Sequence, residues 1–312
     1  MKRIGNLYEK IISLDNLRLA DEKARRGKLR SYGVLLHDKN REANILVLHE
    51  TLKNRTFKNS EYSTFTIYEP KERIIFRLPY YPDRILHHAI MNILEPIWVS
   101  VFTKDTYSCI KGRGIHGAMR NVKRAIKDRE NARYCLKIDI RKFYPSIDHD
   151  VLKAIIRRKI KCKDTLALLD TIIDSTDGVP IGNYLSQYFA NLMLAYFDHW
   201  IKEEKRVRYY FRYADDMVFL ASTKEELHIL LADIKKYLAA LKLTLKGNEQ
   251  IFPIAENRAD KHGRGLDFVG FVFYHNQTLM RKSIKQNFCR MAARLNKKLN
   301  ISARDYKQRL CS

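Results

Sequence analysis

The chain has 312 residues, 46% of them hydrophobic, enough to bury a sizeable core, and no stretch reads as low-complexity or disordered. Its 59 Lys and Arg against 35 Asp and Glu give a formal net charge of +24 and a pI near 9.8, a balance that points to a polyanionic partner. No apolar run reaches the roughly 18 residues of a membrane span, and Glu9 and Asp15 break the region after Met1-Lys2-Arg3, so a cytoplasmic protein with no membrane partner is expected.

In chain order, residues 1–30 read as helical and basic, with Lys23, Arg25, Arg26, Lys28 and Arg30 clustered near the end. Strands are predicted over 64–68 and 74–78 and a helix over 82–93, where His87-His88 is expected to be packed or exposed rather than a ligand. Tyr134-Cys135-Leu136-Lys137-Ile138-Asp139-Ile140 alternates like a buried strand with Asp139 near its end. Ser146-Ile147-Asp148-His149-Asp150 reads as the cap of a helix starting near Val151, which assigns Asp148 and Asp150 to capping ahead of catalysis. Gly178-Val179-Pro180-Ile181-Gly182 then leads through Gln187 into an apolar helix over 188–200. Such a Gly-rich lead lets backbone approach a flat partner closely, although a turn before a core helix has the same pattern. A further helix is predicted over 225–240. From Arg281 a helical stretch carries Lys282, Lys285, Arg290, Arg294, Lys297 and Lys298, either a solvated face or a grip on duplex phosphates.

The chemistry concentrates at Tyr213-Ala214-Asp215-Asp216, flanked by Val207-Arg208-Tyr209-Tyr210-Phe211-Arg212 and Met217-Val218-Phe219-Leu220. Strand-forming residues on both sides of a short acidic break read as a β-hairpin with the acids at its tip. Adjacent carboxylates repel unless a cation neutralises them, and hard oxygens suit Mg²⁺; for the pair alone, a solvated acidic turn is the alternative. Asp139 supplies a third acid. Together the three can converge on two divalent ions, which in two-metal sites lie roughly 3.5–4 Å apart and stabilise both oxygens of a phosphoryl transfer. The cysteines at 109, 135, 162, 289 and 311 are dispersed without a Cys-x-x-Cys pair, which argues against a zinc ribbon and a disulfide framework. The order of elements suits an α+β fold with a sheet backed by helices.

These motifs, in this order from about residue 5 to about 300, resemble those of reverse transcriptases. Lys137-Ile138-Asp139-Ile140-Arg141-Lys142-Phe143-Tyr144 is similar to that family's first palm motif, and Tyr213-Ala214-Asp215-Asp216 to its metal-binding hairpin. Leu241-Lys242-Leu243-Thr244-Leu245-Lys246 is similar to the next palm motif, and Leu266-Asp267-Phe268-Val269-Gly270-Phe271 to the primer-grip hairpin. Arg73-Ile74-Ile75-Phe76-Arg77-Leu78-Pro79, Asp83-Arg84-Ile85-Leu86, Leu94-Glu95-Pro96 and Tyr107-Ser108 resemble the fingers of bacterial and intron-type members. The resemblance implies a right-hand polymerase, with N-terminal extension and fingers over 1–130, an interleaved palm over 131–275 with an antiparallel sheet, and a short basic helical thumb over 276–312. It implies two Mg²⁺ ions, with Mn²⁺ able to substitute, held by Asp139, Asp215, Asp216 and the carbonyl of Ile140. Template RNA, a cDNA–primer duplex and dNTPs are the implied partners. Arg73 is then the triphosphate clamp, with Arg77 on the same strand face either sharing that role or merely exposed. Tyr144 matches the aromatic that blocks a ribose 2′-hydroxyl, or else is a core aromatic. Lys246 stabilises pyrophosphate or is an exposed strand-end lysine.

One departure narrows the resemblance. Most members carry Gln-Gly and, farther on, Ser-Pro in the motif before the catalytic hairpin; here Ile181 stands for the Gln and Gln187 for the Pro, making Ile181, Gly182 and Gln187 candidate substrate contacts. That variant, with Leu7-Tyr8-Glu9-Lys10-Ile11 and Asp15-Asn16-Leu17, resembles the reverse transcriptases of diversity-generating retroelements. Their function would be error-prone copying, at adenines, of a template-repeat RNA for targeted gene diversification, helped by a small basic accessory protein. The alternatives are a retron or group II intron-like enzyme and a noncatalytic palm-like RNA-binding or defence protein. The Ile181 motif speaks against the first and the intact acids against the second. The residues after 274 are too few for a ribonuclease H, integrase or nuclease domain, so such activity is expected from other proteins.

Overall fold

The computed structural model describes residues 3–68, 72–297 and 302; Lys298 and Cys311 lie outside the described residues. Helices α1 (Tyr8–Ile12), α2 (Leu14–Ala24), α3 (Tyr32–Asp38) and α4 (Arg41–Lys53) open the chain. Ser13 starts α2 by accepting from the Asn16 amide, and Leu17, Ala20 and Ala24 form its buried stripe at helical spacing. An antiparallel ribbon follows, β1 (Ser63–Ile67) with β2 (Arg73–Arg77). Helix α5 (Ile85–Val99) runs past the expected end at 93 and through Pro96, because Ile90, Leu94 and Trp98 continue its buried face. Then come α6 (Ile115–Ala125), β3 (Tyr134–Asp139), α7 (His149–Arg157), α8 (Lys163–Ile173), α9 (Ser186–Met193) and α10 (Ala195–His199). The single helix expected over 188–200 breaks at Leu194 (φ −105°, ψ 1°); both halves bury apolar residues, so hydrophobicity alone does not reveal the kink.

Next come the hairpin strands β4 (Tyr209–Tyr213) and β5 (Asp216–Ala221), then α11 (Lys224–Ala240), which opens on a complete capping box between Thr223 and Glu226. β6 (Gln250–Pro253), β7 (Leu266–Phe268), β8 (Phe271–Phe273), β9 (Thr278–Met280) and α12 (Lys282–Asn296) complete the described chain. Residues 244–246 pair antiparallel with the end of β3: Leu245 bridges Ile140, and Lys246 N donates to Asp139 O at 2.9 Å.

The central sheet has the order β4-β5-β3-β6, antiparallel throughout. Both of its faces are covered. Met217 and Phe219 of β5 enter the larger hydrophobic cluster, while Val218 and Leu220 enter the smaller one, which explains why β5 reads as a continuous apolar run rather than an alternating one. The larger cluster runs from Leu7 to Leu243, so the N-terminal helices and the sheet share one core. No described helix is long and apolar enough to cross a membrane. The α+β class is as expected.

Candidate active site

The register of the sheet assembles the acids. Asp139 ends β3 directly opposite Asp216 at the start of β5, and Tyr213 pairs with Asp216 across the hairpin. Ala214 and Asp215 are therefore the two-residue connection, with Ala214 at φ 54°. Like charges directly opposite each other destabilise a sheet. Lysines offset that repulsion: Lys137 Nζ lies 3.4 Å from Asp216 Oδ2, and Lys246 Nζ lies 3.6 Å from Asp139 Oδ2. Lys137 also donates to the carbonyl of Asp267 at 2.5 Å. Burial, reinforced by the charge of Asp139 and opposed by Arg73, pushes Asp215 up to about 6. Burial pushes Asp216 up to about 6 as well, with Lys137 opposing. A cleft of about 460 Å³ opens beside them, lined by Lys137, Asp139, Asp216, Lys246, Arg264 and Asp267.

The donors suit a divalent cation: hard, half-buried carboxylate oxygens, of which Asp216 Oδ1 is buried with no hydrogen-bond partner. Among the described residues no three such side chains close into one ligand set; Asp139 and Asp216 each hold a lysine instead. The raised pKa values carry a stability consequence. Between 3.8 and about 6 the folded chain keeps protons that the unfolded chain has released, so the metal-free protein loses stability as pH rises through that window. Asp216→Asn is therefore expected to stabilise the metal-free protein at pH 7.5 by roughly 1–2 kcal/mol, or about 2–6 °C, and to have little effect at pH 4. Melting in EDTA at both pH values checks this; a variant that melts no higher than its parent at pH 7.5 refutes it.

Tyr144 opens a 3₁₀ turn after β3 and is half-buried. Burial pushes its hydroxyl up to about 12, with Asp215 adding and Arg73 opposing, so Arg73, Tyr144 and Asp215 share one electrostatic neighbourhood. The Gly178–Gly182 loop is clamped between that turn and β2. Val179 N donates to Tyr144 O at 2.9 Å, and Phe76 N to Ile181 O at 2.8 Å. Gly182, at φ 122°, sits so close to β2 that a Cβ would lie 2.3 Å from Phe76 O. The close approach this glycine permits is thus to the chain's own backbone. Ile181 is half-buried, Gln187 is exposed in the first turn of α9, and Ile140 is buried where β3 continues toward Leu245. Arg73 and Arg77 are both exposed, but the charges felt with Arg77 are Lys28 and Arg84 rather than the acids. Asp148 caps α7, accepting from Val151 N at 3.0 Å, and also pairs with Lys242 at 2.7 Å; Asp150 is exposed. His87 is buried and packed, and His88 stacks on Tyr184 at 4.4 Å.

Sequence reasoning missed the partner role of Lys137 and the buried Arg212–Asp198 pair behind the turn. Period-two alternation carries a signal for both: Lys137 is two residues before Asp139 on the same strand face, and Arg212 occupies a core-facing position of β4.

Residues 68–248 match the family model described as reverse transcriptase (RNA-dependent DNA polymerase). The chain belongs to the reverse transcriptase family. This reverse transcriptase is similar to protein YkfC of Escherichia coli (strain K12), 24% identical over 266 residues, which is 70% of this chain and 67% of that protein. It is also similar to the group II intron-encoded protein LtrA of Lactococcus lactis subsp. cremoris, 27% identical over 139 residues, 41% of this chain but only 23% of LtrA. Its fold is that of right-hand polymerases. The apo telomerase from Candida tropicalis truncated from its C-terminal domain superposes with a TM-score of 0.53 at 13% identity, over 76% of this chain and 59% of that one. The Candida tropicalis telomerase in complex with a TWJ fragment of telomeric RNA gives 0.52 at 13% identity, over 81% and 52%.

Proposed function

We propose that this chain is the reverse transcriptase of a diversity-generating retroelement, copying a template-repeat RNA into cDNA with frequent errors at adenines. The observation that carries this reading is Ile181, in a loop tied by hydrogen bonds to both β2 and the Tyr144 turn, with Gln187 following in the first turn of α9. Two Mg²⁺ ions, replaceable by Mn²⁺, would be held by Asp139, Asp215, Asp216 and the Ile140 carbonyl. When bound they lower the pKa of a primer 3′-hydroxyl and neutralise charge on departing pyrophosphate. Arg73 clamps the triphosphate, Tyr144 excludes a 2′-hydroxyl, and Lys246 receives pyrophosphate charge, a role its 3.6 Å contact with Asp139 supports. Residues 1–130 act as N-terminal extension and fingers, 131–275 as palm and 276–312 as thumb. The net charge of +24 supports template RNA and the cDNA–primer duplex as partners, with a basic accessory protein assisting capture in the cytoplasm.

Ile181 offers no hydrogen bond where the usual Gln would hold the nascent pair in register, so a mispair loses less against a correct pair. One hydrogen bond contributes roughly 0.5–1.5 kcal/mol net, and about 1.4 kcal/mol is a factor of ten in discrimination. Ile181→Gln is expected to lower misincorporation opposite template adenine by up to about tenfold without stopping synthesis. Sequencing cDNA from both enzymes on one template tests it, and equal adenine error rates refute it. The similarity to LtrA supports a second reading, a group II intron-like enzyme. Parent cDNA without adenine bias would favour that reading.

A further inference from the structure

A buried charge that the chemistry above does not use holds the Asp215 turn from behind. Strand β4 alternates so that Phe211 faces the smaller hydrophobic cluster, while Tyr210 and Arg212 face helices α9 and α10. Pattern alone calls for an apolar side chain there, yet Arg212 is fully buried, as is its partner Asp198 on α10. The guanidinium fork is fully engaged. Nε donates to Asp198 Oδ1 at 2.8 Å and Nη2 to Asp198 Oδ2 at 2.6 Å. Nη1 reaches Asn191 Oδ1 at 3.1 Å and the carbonyl of Ala214 at 3.1 Å. Asp198 is saturated in turn, accepting from Tyr210 Oη at 2.6 Å and Thr106 Oγ1 at 2.8 Å. Asn191 is itself oriented by donating to Ser108 O at 2.8 Å.

A buried ion pair is a weak device for stability, because desolvation offsets its attraction and apolar residues of equal volume often serve as well. No apolar side chain, however, could hold the Ala214 carbonyl. Ala214 sits at φ 54°, a left-handed conformation that disfavours a residue bearing a Cβ. Its carbonyl belongs to the planar peptide leading into Asp215, so aiming that oxygen fixes the plane from which the Asp215 side chain departs.

We propose that Arg212, aimed by Asp198 and Asn191, is a positioning residue for the catalytic turn, holding the Ala214–Asp215 peptide so that the Asp215 carboxylate meets its metal. This rests on Asp215 being a metal ligand. Arg212→Lys tests it, because an ammonium still neutralises Asp198 but cannot fork to Asn191 and Ala214. In the folded variant, kcat for primer extension is expected to fall at least about tenfold with KM for dNTP changed less than about threefold. Its dissociation constant for Mn²⁺ without substrate, read from the electron paramagnetic resonance of free Mn²⁺, is expected to rise at least about fivefold. Asn191→Ala leaves the ion pair whole and removes one acceptor that aims Nη1; it should shift Mn²⁺ affinity and kcat in the same direction, and it decides the matter if Arg212→Lys does not fold. Asp215→Asn, measured in parallel, separates the two ways of failing. If it loses Mn²⁺ binding while a folded Arg212→Lys or Asn191→Ala keeps parental kcat and Mn²⁺ affinity, with only a lower melting temperature, the positioning role is refuted. If Asp215→Asn binds Mn²⁺ like the parent, the ligand assignment fails and the positioning role fails with it.

Discussion

Asp139→Asn and Asp215→Asn are each expected to reduce primer extension with Mg²⁺ by at least about 10³-fold, because the amide cannot supply the anionic oxygen that a hard cation needs. Metal stabilisation of transition-state charge is worth several kcal/mol, and each ~1.4 kcal/mol is a factor of ten in rate. The fold should survive. Asp215 is raised to about 6 by burial and by Asp139, so removing either charge relieves repulsion in the metal-free protein; Asp139→Asn also gives up the Lys246 contact at 3.6 Å, a partly exposed pair that contributes little. RNA binding should survive too, since it draws on the net charge of +24 rather than on the acids. Three measurements on each variant check this: primer extension, RNA affinity and the melting temperature without metal. Extension at the parental rate would remove the acids from catalysis; loss of RNA binding together with extension would make them structural.

Tyr144→Ala is expected to admit ribonucleotides that the parent rejects. The side chain is half-buried, its turn is pinned by the Val179 amide at 2.9 Å, and it shares the neighbourhood of Arg73 and Asp215. A fixed aromatic beside C2′ excludes a hydroxyl by overlap, and removing it opens space instead of deleting an attraction. The ratio of dNTP to rNTP incorporation should therefore fall by about tenfold or more, while dNTP incorporation changes less. An unchanged ratio with a lowered melting temperature would return Tyr144 to the core.

The three acids proposed for catalysis were legible because their signals are local. Asp139 terminates an alternating run and Asp215-Asp216 interrupts two runs of aromatic and branched residues, so the elements and the places where they end follow from residue type along the chain. The α7 cap was legible for the same reason: Asp148 acts within three residues of itself. The kink at Leu194 was not, since it depends on what lies across the core rather than along the chain.

The sequence by itself determined the α+β order, the acids and the basic balance, all of which are written in residue type and spacing, while the place of Ile181 against a usual Gln is what the family resemblance implies. Only the tertiary structure decided that Asp139 stands opposite Asp216, that Lys137 and Lys246 offset their charge, and that Arg73 rather than Arg77 is near them. It alone gave Gly182 a partner in Phe76 and Arg212 one in Asp198. Those pairings join residues 14 or more positions apart, and no local propensity encodes them. They follow from strand register and from the requirement that a buried charge find its counter-charge wherever the fold has placed it.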